Sequence, residues 1–274
     1  MRAARLNNGV SMPRLGLGTF QIPDDRLPRV VNAAVAAGYR ALDTASIYQN
    51  ENAVGRAVAD CGVARDELFL ITKLWNSDQG YDSALRAHDR SLAALGVDHV
   101  DLYLIHWPAP GLDRFLPSWR ALCDLQTRGR VRAIGVSNFQ IEHLRRLIDE
   151  TGVAPAVNQV ELHPWLQQTE LREFHAAHGI TTQAWSPLAQ GTGLLTDPVL
   201  TSISAKHRRT PAQIVLRWHL QQDIQVIPKS ADPRRVRENG EVFDFELDEL
   251  DLAALKRLDV GKRLGPDPDT FDHA

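Results

Sequence analysis

The stretch ALDTASIYQNE, residues 41–51, begins as a buried strand and at once places a carboxylate, Asp43, and then a phenol, Tyr48, where the apolar run stops. Two later apolar runs end in a similar way, LFLITKLW with Lys73 and VDLYLIHW with His106. A carboxylate, a phenol, an ammonium and an imidazole held together can protonate a developing alkoxide, as carbonyl reduction requires. A free phenol has a pKa of about 10, and a neighbouring ammonium favours phenolate and lowers that value. On this reading Tyr48 is the general acid. Asp43 keeps Lys73 charged and oriented, and His106 donates a hydrogen bond to a substrate oxygen or shares the proton. The set has no nucleophile with an activating base and no metal ligands of the usual spacing.

Each of the four has a plainer reading when taken alone. Asp43 suits a helix N-cap, Tyr48 a half-buried packing position, Lys73 a strand end from which it snorkels to water, and His106 a satisfied core histidine. Their joint occurrence at the ends of three successive runs favours chemistry, provided those runs end side by side.

That condition is architectural. Short apolar runs alternate with helical patterns from residue 15 to 240. Strands are expected at 14–20, 40–45, 68–75, 100–107, 131–138, 156–162, 180–186 and 224–230. Helices are expected at 28–37, 51–61, 81–95, 113–128, 140–150, 168–178, 198–221 with a break at Pro211, and 233–239. Thr210 before Pro211 and Asp232 before Pro233 are helix-start signals. Strand–helix alternation of this kind implies parallel pairing with right-handed crossovers. A doubly wound dinucleotide-binding sheet would carry G-x-G-x-x-G after its first strand. Gly16 and Gly18 begin that spacing, but Gln21 stands where the third glycine belongs. Eight similar units favour a closed (β/α)8 TIM barrel, whose reactive groups lie at the carboxyl ends of its strands. Asp43, Tyr48, Lys73 and His106 then converge at equivalent heights. Asn8-Gly9 signals an N-terminal β-hairpin capping the barrel bottom, and an extra C-terminal helix follows the eighth unit. Residues 1–274 read as a single domain.

The 274 residues suffice for such a barrel. With 43% hydrophobic and 24% charged residues the chain can build a full core. A formal charge of −3 speaks against a nucleic-acid partner, and no apolar run is long enough to span a membrane. The start MRAARLNNGV lacks a signal peptide's apolar stretch. Cys61 and Cys123 make neither a disulfide framework nor a zinc site. The expectation is a cytoplasmic protein.

GLGTF, ALDTASIYQNE, ITKLWN, LYLIHWP, IGVSNF, NQVELHP and VIPKS, in this order over about residues 5–260, resemble the aldo-keto reductase superfamily. KLWN and AWSPL bring the chain nearest to bacterial 2,5-diketo-D-gluconate reductase-like enzymes. The resemblance implies a barrel that binds NADPH without a Rossmann domain, with NADH weaker, and a monomer acting on a small-molecule carbonyl. It implies Tyr48 as proton donor, tuned by Lys73 and Asp43, with His106 orienting the carbonyl. Ser137, Asn138 and Gln159 match positions that hold the nicotinamide carboxamide, although Ser137-Asn138 reads equally well as an N-cap. Trp185 matches the ring that stacks on the nicotinamide, against a plain reading as core. Ser186 and Leu188 match positions near the pyrophosphate, and Gly18, Thr19 and Phe20 also fall on the cofactor side. Lys229, Ser230 and Arg235 match a pocket for the 2′-phosphate, which suits cationic and bidentate partners. Glu238 and Asn239 match the adenine side. Phe20, Trp75, His106 and Trp107 are expected to wall the substrate site. Gln190 is expected to reach it from the glycine-rich loop LAQGTGLLTDP, which can move over bound cofactor. After residue 260 the tail is short, which suggests an open, permissive site.

Two other functions fit parts of the same pattern. A nucleotide-binding redox regulator with slow turnover would keep the whole set. A Schiff-base aldolase would use Lys73 as its nucleophile, but an ammonium paired with Asp43 stays protonated and is poorly suited to attack.

Overall fold

The computed structural model describes residues 3–273, so the two ends of the expected 1–274 domain lie outside the described residues. An antiparallel hairpin comes first, β1 (Ala3–Arg5) with β2 (Ser11–Pro13). The Gly9 N–H donates to the Leu6 carbonyl at 2.9 Å, and Gly9 alone in the turn takes a left-handed backbone, φ +85°. Asn8 does not share that conformation. The Asn-Gly pair therefore forms a longer loop with glycine at its left-handed position, rather than a two-residue turn with both residues left-handed. Asn7 Nδ2 donates to the Pro155 carbonyl (3.0 Å) and Asn8 Nδ2 to that of Arg132 (2.9 Å). Leu6 and Met12 join Phe69, Ile71, Leu102, Leu104 and Ala133 in one buried cluster. The hairpin thus plugs the end at which the strands begin.

Eight parallel strands follow in chain order around the sheet. They are β3 (Gly16–Gly18), β4 (Ala41–Asp43), β5 (Phe69–Leu74), β6 (Val100–Ile105), β7 (Val131–Ser137), β8 (Val157–Glu161), β9 (Thr181–Trp185) and β10 (Gln225–Val226). The first and last are much shorter than the expected 14–20 and 224–230. Pro228 has no N–H to donate, and the seam is made by isolated parallel bridges, Leu15 with Val226 and Gly18 with Lys229. The Gly18 N–H reaches the Pro228 carbonyl at 3.2 Å, and Val226 N–H reaches that of Arg14 at 3.1 Å. These bonds close the (β/α)8 ring.

The helices are α1 (Leu27–Ala36), α2 (Glu51–Asp60), α3 (Tyr81–Leu95), α4 (Phe115–Thr127), α5 (Ile141–Thr151), α6 (Thr169–Ala177), α7 (Pro198–His207), α8 (Pro211–Gln221), α9 (Pro233–Gly240) and α10 (Glu249–Lys256). The break expected in 198–221 is real. The Thr210 hydroxyl accepts from Gln213 N–H and the Gln213 side chain returns to Thr210 N–H, which restarts the chain as α8. The Asp232 carboxylate caps α9 through Arg234 N–H. In α5, Ile141, Leu144, Leu147 and Ile148 recur at helical spacing and face the core. Among the described residues, no helix is long and apolar enough to cross a membrane.

Candidate active site

Asp43 ends β4, Lys73 is the fifth residue of β5, and His106 directly follows β6. They are not level in register. Asp43 pairs with Ile71 and Lys73 with Leu104, so each contributor stands further along its strand than the last. Barrel shear requires such a stagger, and the even offset keeps all three side chains on the inner face.

The core of the site is a buried ion pair. Lys73 Nζ donates to Asp43 Oδ1 at 2.6 Å and to the Thr44 carbonyl at 2.8 Å, and its side chain is wholly buried. Burial at this depth excludes the snorkelling reading of Lys73, and the pair excludes the N-cap reading of Asp43. The other carboxylate oxygen, Asp43 Oδ2, accepts from Gln159 Nε2 at 2.8 Å. Tyr48 closes a short 3-10 turn, Ser46–Tyr48, and its ring centre lies 5.2 Å from Lys73 Nζ. Ser46 Oγ ties that turn to the Lys73 carbonyl at 3.0 Å. The His106 ring meets Tyr48 edge-on at 5.7 Å between centroids and Trp75 at 5.2 Å.

Electrostatics corrects one expectation. The ammonium does not lower the Tyr48 pKa in the free protein. Burial, followed by the Asp43 charge, pushes the phenol well above its ordinary value. A buried phenolate loses its hydration, and the Asp43 charge disfavours it further. Burial likewise pulls the Lys73 ammonium down, opposed by Asp43. Burial and the Lys73 charge together hold His106 far below the ordinary imidazole value, so its ring is neutral. His106 Nδ1 is buried with no hydrogen-bond partner among the described residues, so it is no satisfied core histidine.

Beside the four lies a second polar group. Ser137 Oγ donates to the Gln159 carbonyl (2.8 Å), Asn138 Nδ2 to the His106 carbonyl (3.0 Å), and Trp185 Nε1 to Asn138 Oδ1 (2.7 Å). Neither Ser137 nor Asn138 caps α5, whose N-cap is Gln140. Trp185 is only partly buried at the end of β9, which is not a core position. Gln159 Nε2 also donates to Gln183 Oε1 at 2.7 Å. Because a carboxylate only accepts, Asp43 decides which end of the Gln159 amide is nitrogen, and Gln159 then decides Gln183. Gln183 belongs to this network although sequence reading did not single it out. It sits in ITTQAW on the same strand parity as Trp185, and that parity was the available signal.

The remaining candidates lie around the rim. Gly18 packs on the closing seam, where a Cβ would come within 2.9 Å of the Ile227 carbonyl. Thr19 is buried, its hydroxyl on the Asp43 carbonyl at 2.9 Å, and Phe20 is half exposed with its ring 4.8 Å from that of Tyr48. Ser186 is left-handed at φ +46°, and Leu188 is partly buried. Lys229 and Arg235 are exposed and carry no ion pair among the described residues, whereas Arg234 is paired with Asp232. Ser230 lies between them on the approach to α9. Glu238 Oε1 is taken by the Thr210 hydroxyl at 2.8 Å, and Asn239 is buried. In LAQGTGLLTDP, Ala189 and Leu194 are fully buried anchors, and residues 190–193, including Gln190, are exposed, as are Thr196 and Pro198. Gln190 makes no hydrogen bond or ring contact with Trp75, His106 or Trp107.

The short tail does not leave the rim open. After α10 it crosses the strand ends. Phe271 packs its ring 4.5 Å from Trp107 and 6.4 Å from Trp75. Asn76 Nδ2 holds the His273 carbonyl at 2.7 Å, and Gly111 N–H holds Asp272 Oδ1, also at 2.7 Å. Residues 261–273 span the rim with a bend at Gly265 and a turn at 268–270, a path that length alone did not reveal.

The model of the Aldo/keto reductase family matches residues 14–260. An aldo-keto reductase of Mycolicibacterium smegmatis is 56% identical over 267 residues, covering 97% of each chain. The methylglyoxal reductase DkgA of Yersinia pestis is 52% identical over 268 residues, covering 97% of this chain and 96% of its own. The crystal structure of a mutant Gox0644 in complex with NADPH superposes with a TM-score of 0.94 at 48% identity, covering 98% of each chain.

Proposed function

This chain belongs to the aldo/keto reductase family, and on that premise we propose that it reduces small aldehydes, ketones or dicarbonyls with NADPH, Tyr48 supplying the proton. The observation that carries the reading is the Tyr48 ring standing over the buried Lys73–Asp43 pair, with a neutral His106 edge-on beside it. The likeness to a methylglyoxal reductase points to small dicarbonyls as the first substrates to try.

The residues present fit the cofactor. Gln159 Oε1 has no hydrogen-bond donor among the described residues and can accept from a carboxamide. Lys229 and Arg235 are exposed cations with no ion pair among the described residues, which supports their contact with a 2′-phosphate. When bound, the nicotinamide supplies the hydride from its C4 carbon. The protein's own groups do the rest. Tyr48 keeps its proton through neutral pH because burial raises its pKa, and a developing alkoxide is more basic than a phenolate, so transfer is downhill. Lys73 stabilises the phenolate left behind and is itself held by Asp43 and Thr44. Neutral His106 donates one N–H to the carbonyl oxygen and orients it. Phe20, Trp75, Trp107 and Phe271 exclude water. A Lys73 imine is disfavoured, since its nitrogen is already bonded to a carboxylate and a carbonyl. On the same reading residues 1–274 form one catalytic domain, acting as a monomer in the cytoplasm.

The test follows NADPH oxidation at its absorbance band with methylglyoxal, phenylglyoxal, simple aldehydes and keto sugars, for wild type and Tyr48→Phe. The variant is expected to lose about a hundredfold or more in turnover while still binding NADPH. Activity that survives removal of the phenol refutes the proton-donor role. Tight NADPH binding without any turnover in the wild type makes the chain a nucleotide-binding regulator instead.

A further inference from the structure

Glu161 is the last residue of β8, two positions beyond Gln159, and its side chain is wholly buried. The reaction as proposed makes no use of it. Its carboxylate nevertheless accepts three hydrogen bonds. His163 Nε2 and the Leu264 N–H reach Oε1 at 2.9 and 2.7 Å, and the Gly265 N–H reaches Oε2 at 2.8 Å. Two of the three donors are main-chain amides of the carboxyl-terminal segment, about a hundred residues away in sequence. Burial alone would push this acid up, but the His163 and amide bonds outweigh it and hold it below its usual range.

The segment has little else to fix this part of its path. Upstream, Val260 and Lys262 N–H donate to the Trp165 carbonyl at 3.2 and 3.0 Å, and Lys262 Nζ lies 4.4 Å from the Trp165 ring centre. Downstream, among the described residues, no hydrogen bond to the barrel occurs between residue 265 and Asp272, although His143 Nε2 lies 3.8 Å from Asp269 Oδ1. At Gly265 the chain runs against Trp185, and a Cβ there would stand 2.5 Å from the Trp185 ring and 3.1 Å from Glu161 Oε2. Only glycine lets the chain lie that close. Six residues further on, Phe271 reaches Trp107 and Trp75.

We infer that Glu161 is a positioning residue, whose buried carboxylate anchors the carboxyl-terminal segment across the barrel mouth so that Phe271 forms a wall of the carbonyl site. The inference rests on the reductase reading for what that wall does, but not for the anchor itself. Neutralising the acid as Glu161→Gln puts an amide donor against backbone donors. At least one amide, at 264 or 265, is then left unpaired, and the segment detaches. A lost wall removes binding common to the ground and transition states, so KM for the carbonyl rises about tenfold with kcat nearly unchanged. Trp185 keeps its bond to Asn138, so NADPH affinity, read by tryptophan quenching, changes little.

The experiment pairs hydrogen–deuterium exchange with steady-state kinetics on full-length wild type, Glu161→Gln, Gly265→Ala, Phe271→Ala and the Glu161→Gln/Phe271→Ala double variant. Exchange is expected to rise in residues 259–273 of Glu161→Gln while the barrel strands keep their protection. The Phe271 variant is expected to share the KM increase, and the double variant to add little to either single change, since both remove one wall. Gly265→Ala, which leaves the acid intact, is expected to act in the same direction and serves if Glu161→Gln does not fold. Unchanged exchange at 264–265 overturns the anchor whatever the kinetics show. KM effects that add in the double variant overturn the link to Phe271. A wild type that reduces none of the carbonyls refutes the reductase reading, while the exchange data still judge the anchor.

Discussion

Asp43 and Lys73 illustrate how much a residue's chemistry depends on its surroundings. A lysine with no exposed surface persists as an ammonium because a carboxylate and a carbonyl accept hydrogen bonds from two of its three N–H groups. Breaking such a buried pair from one side leaves an uncompensated charge. Lys73→Met is therefore expected to cost about 3–5 kcal/mol in urea unfolding, together with most of the turnover. A variant that stays as stable as wild type would mean the pair is solvated. The shifts at Tyr48 and His106 set the pH dependence. His106, lowered from 6.5, is neutral above that value, and Tyr48, raised from 10.0, is protonated below it. Neither titrates between the two, so kcat for carbonyl reduction is expected to be flat across that window. An ionisation near pH 6.5 that disappears in His106→Asn would contradict the assignment. On the proposed assignment of Arg235 to the 2′-phosphate, Arg235→Ala should raise KM for NADPH about tenfold, the scale of one charge-assisted contact, and leave KM for NADH unchanged.

Between elements, buried polar contacts hold β8, α6 and β9 together. Asn158 Nδ2 donates to the Phe139 carbonyl at 2.8 Å, so the His175 Nε2 it also meets at 2.9 Å must be an acceptor. His175 Nδ1–H then donates to the Thr182 hydroxyl at 2.9 Å. Burial, followed by the Arg172 and His178 charges, pushes His175 down to about 3, consistent with this neutral tautomer. The folded state refuses a proton that the unfolded chain binds below pH 6.5, so stability is full above 6.5 and falls as pH drops toward 3. The integrated loss is roughly 5 kcal/mol. Urea midpoints measured across that range should fall, with the His175 imidazole resonances unmoved down to about pH 4. A His175 that titrates near 6.5 would falsify the tautomer. The helix boundaries at Pro211 and Pro233 were legible in sequence because their caps are local, Thr210 with Gln213 and Asp232 with Arg234. The short β3 and β10 were not, because their lengths depend on closing the ring.

For the whole molecule, the barrel separates stability at one end from chemistry at the other. Met12 is fully buried in the plug formed by the hairpin. Met12→Ala is expected to lower stability by about 2–5 kcal/mol and leave kcat/KM for any carbonyl unchanged. A loss of activity in step with stability would show that the two ends communicate. The carboxyl-terminal segment does the opposite, joining Trp165, Glu161, Trp107 and Asn76 across the mouth.

By itself the sequence determined the eight alternating units, the strand ends that carry Asp43, Lys73 and His106, and the loop that carries Tyr48. Each rests on periodicity, parity and local capping, which act over a few residues and can be read in order. Only the tertiary structure decided which way the Tyr48 pKa moves, that Gln183 completes the Asp43–Gln159 chain, and that residues 261–273 close over the rim through Glu161. Those outcomes depend on desolvation and on contacts between segments up to two hundred residues apart, and such contacts exist only once the ring has closed.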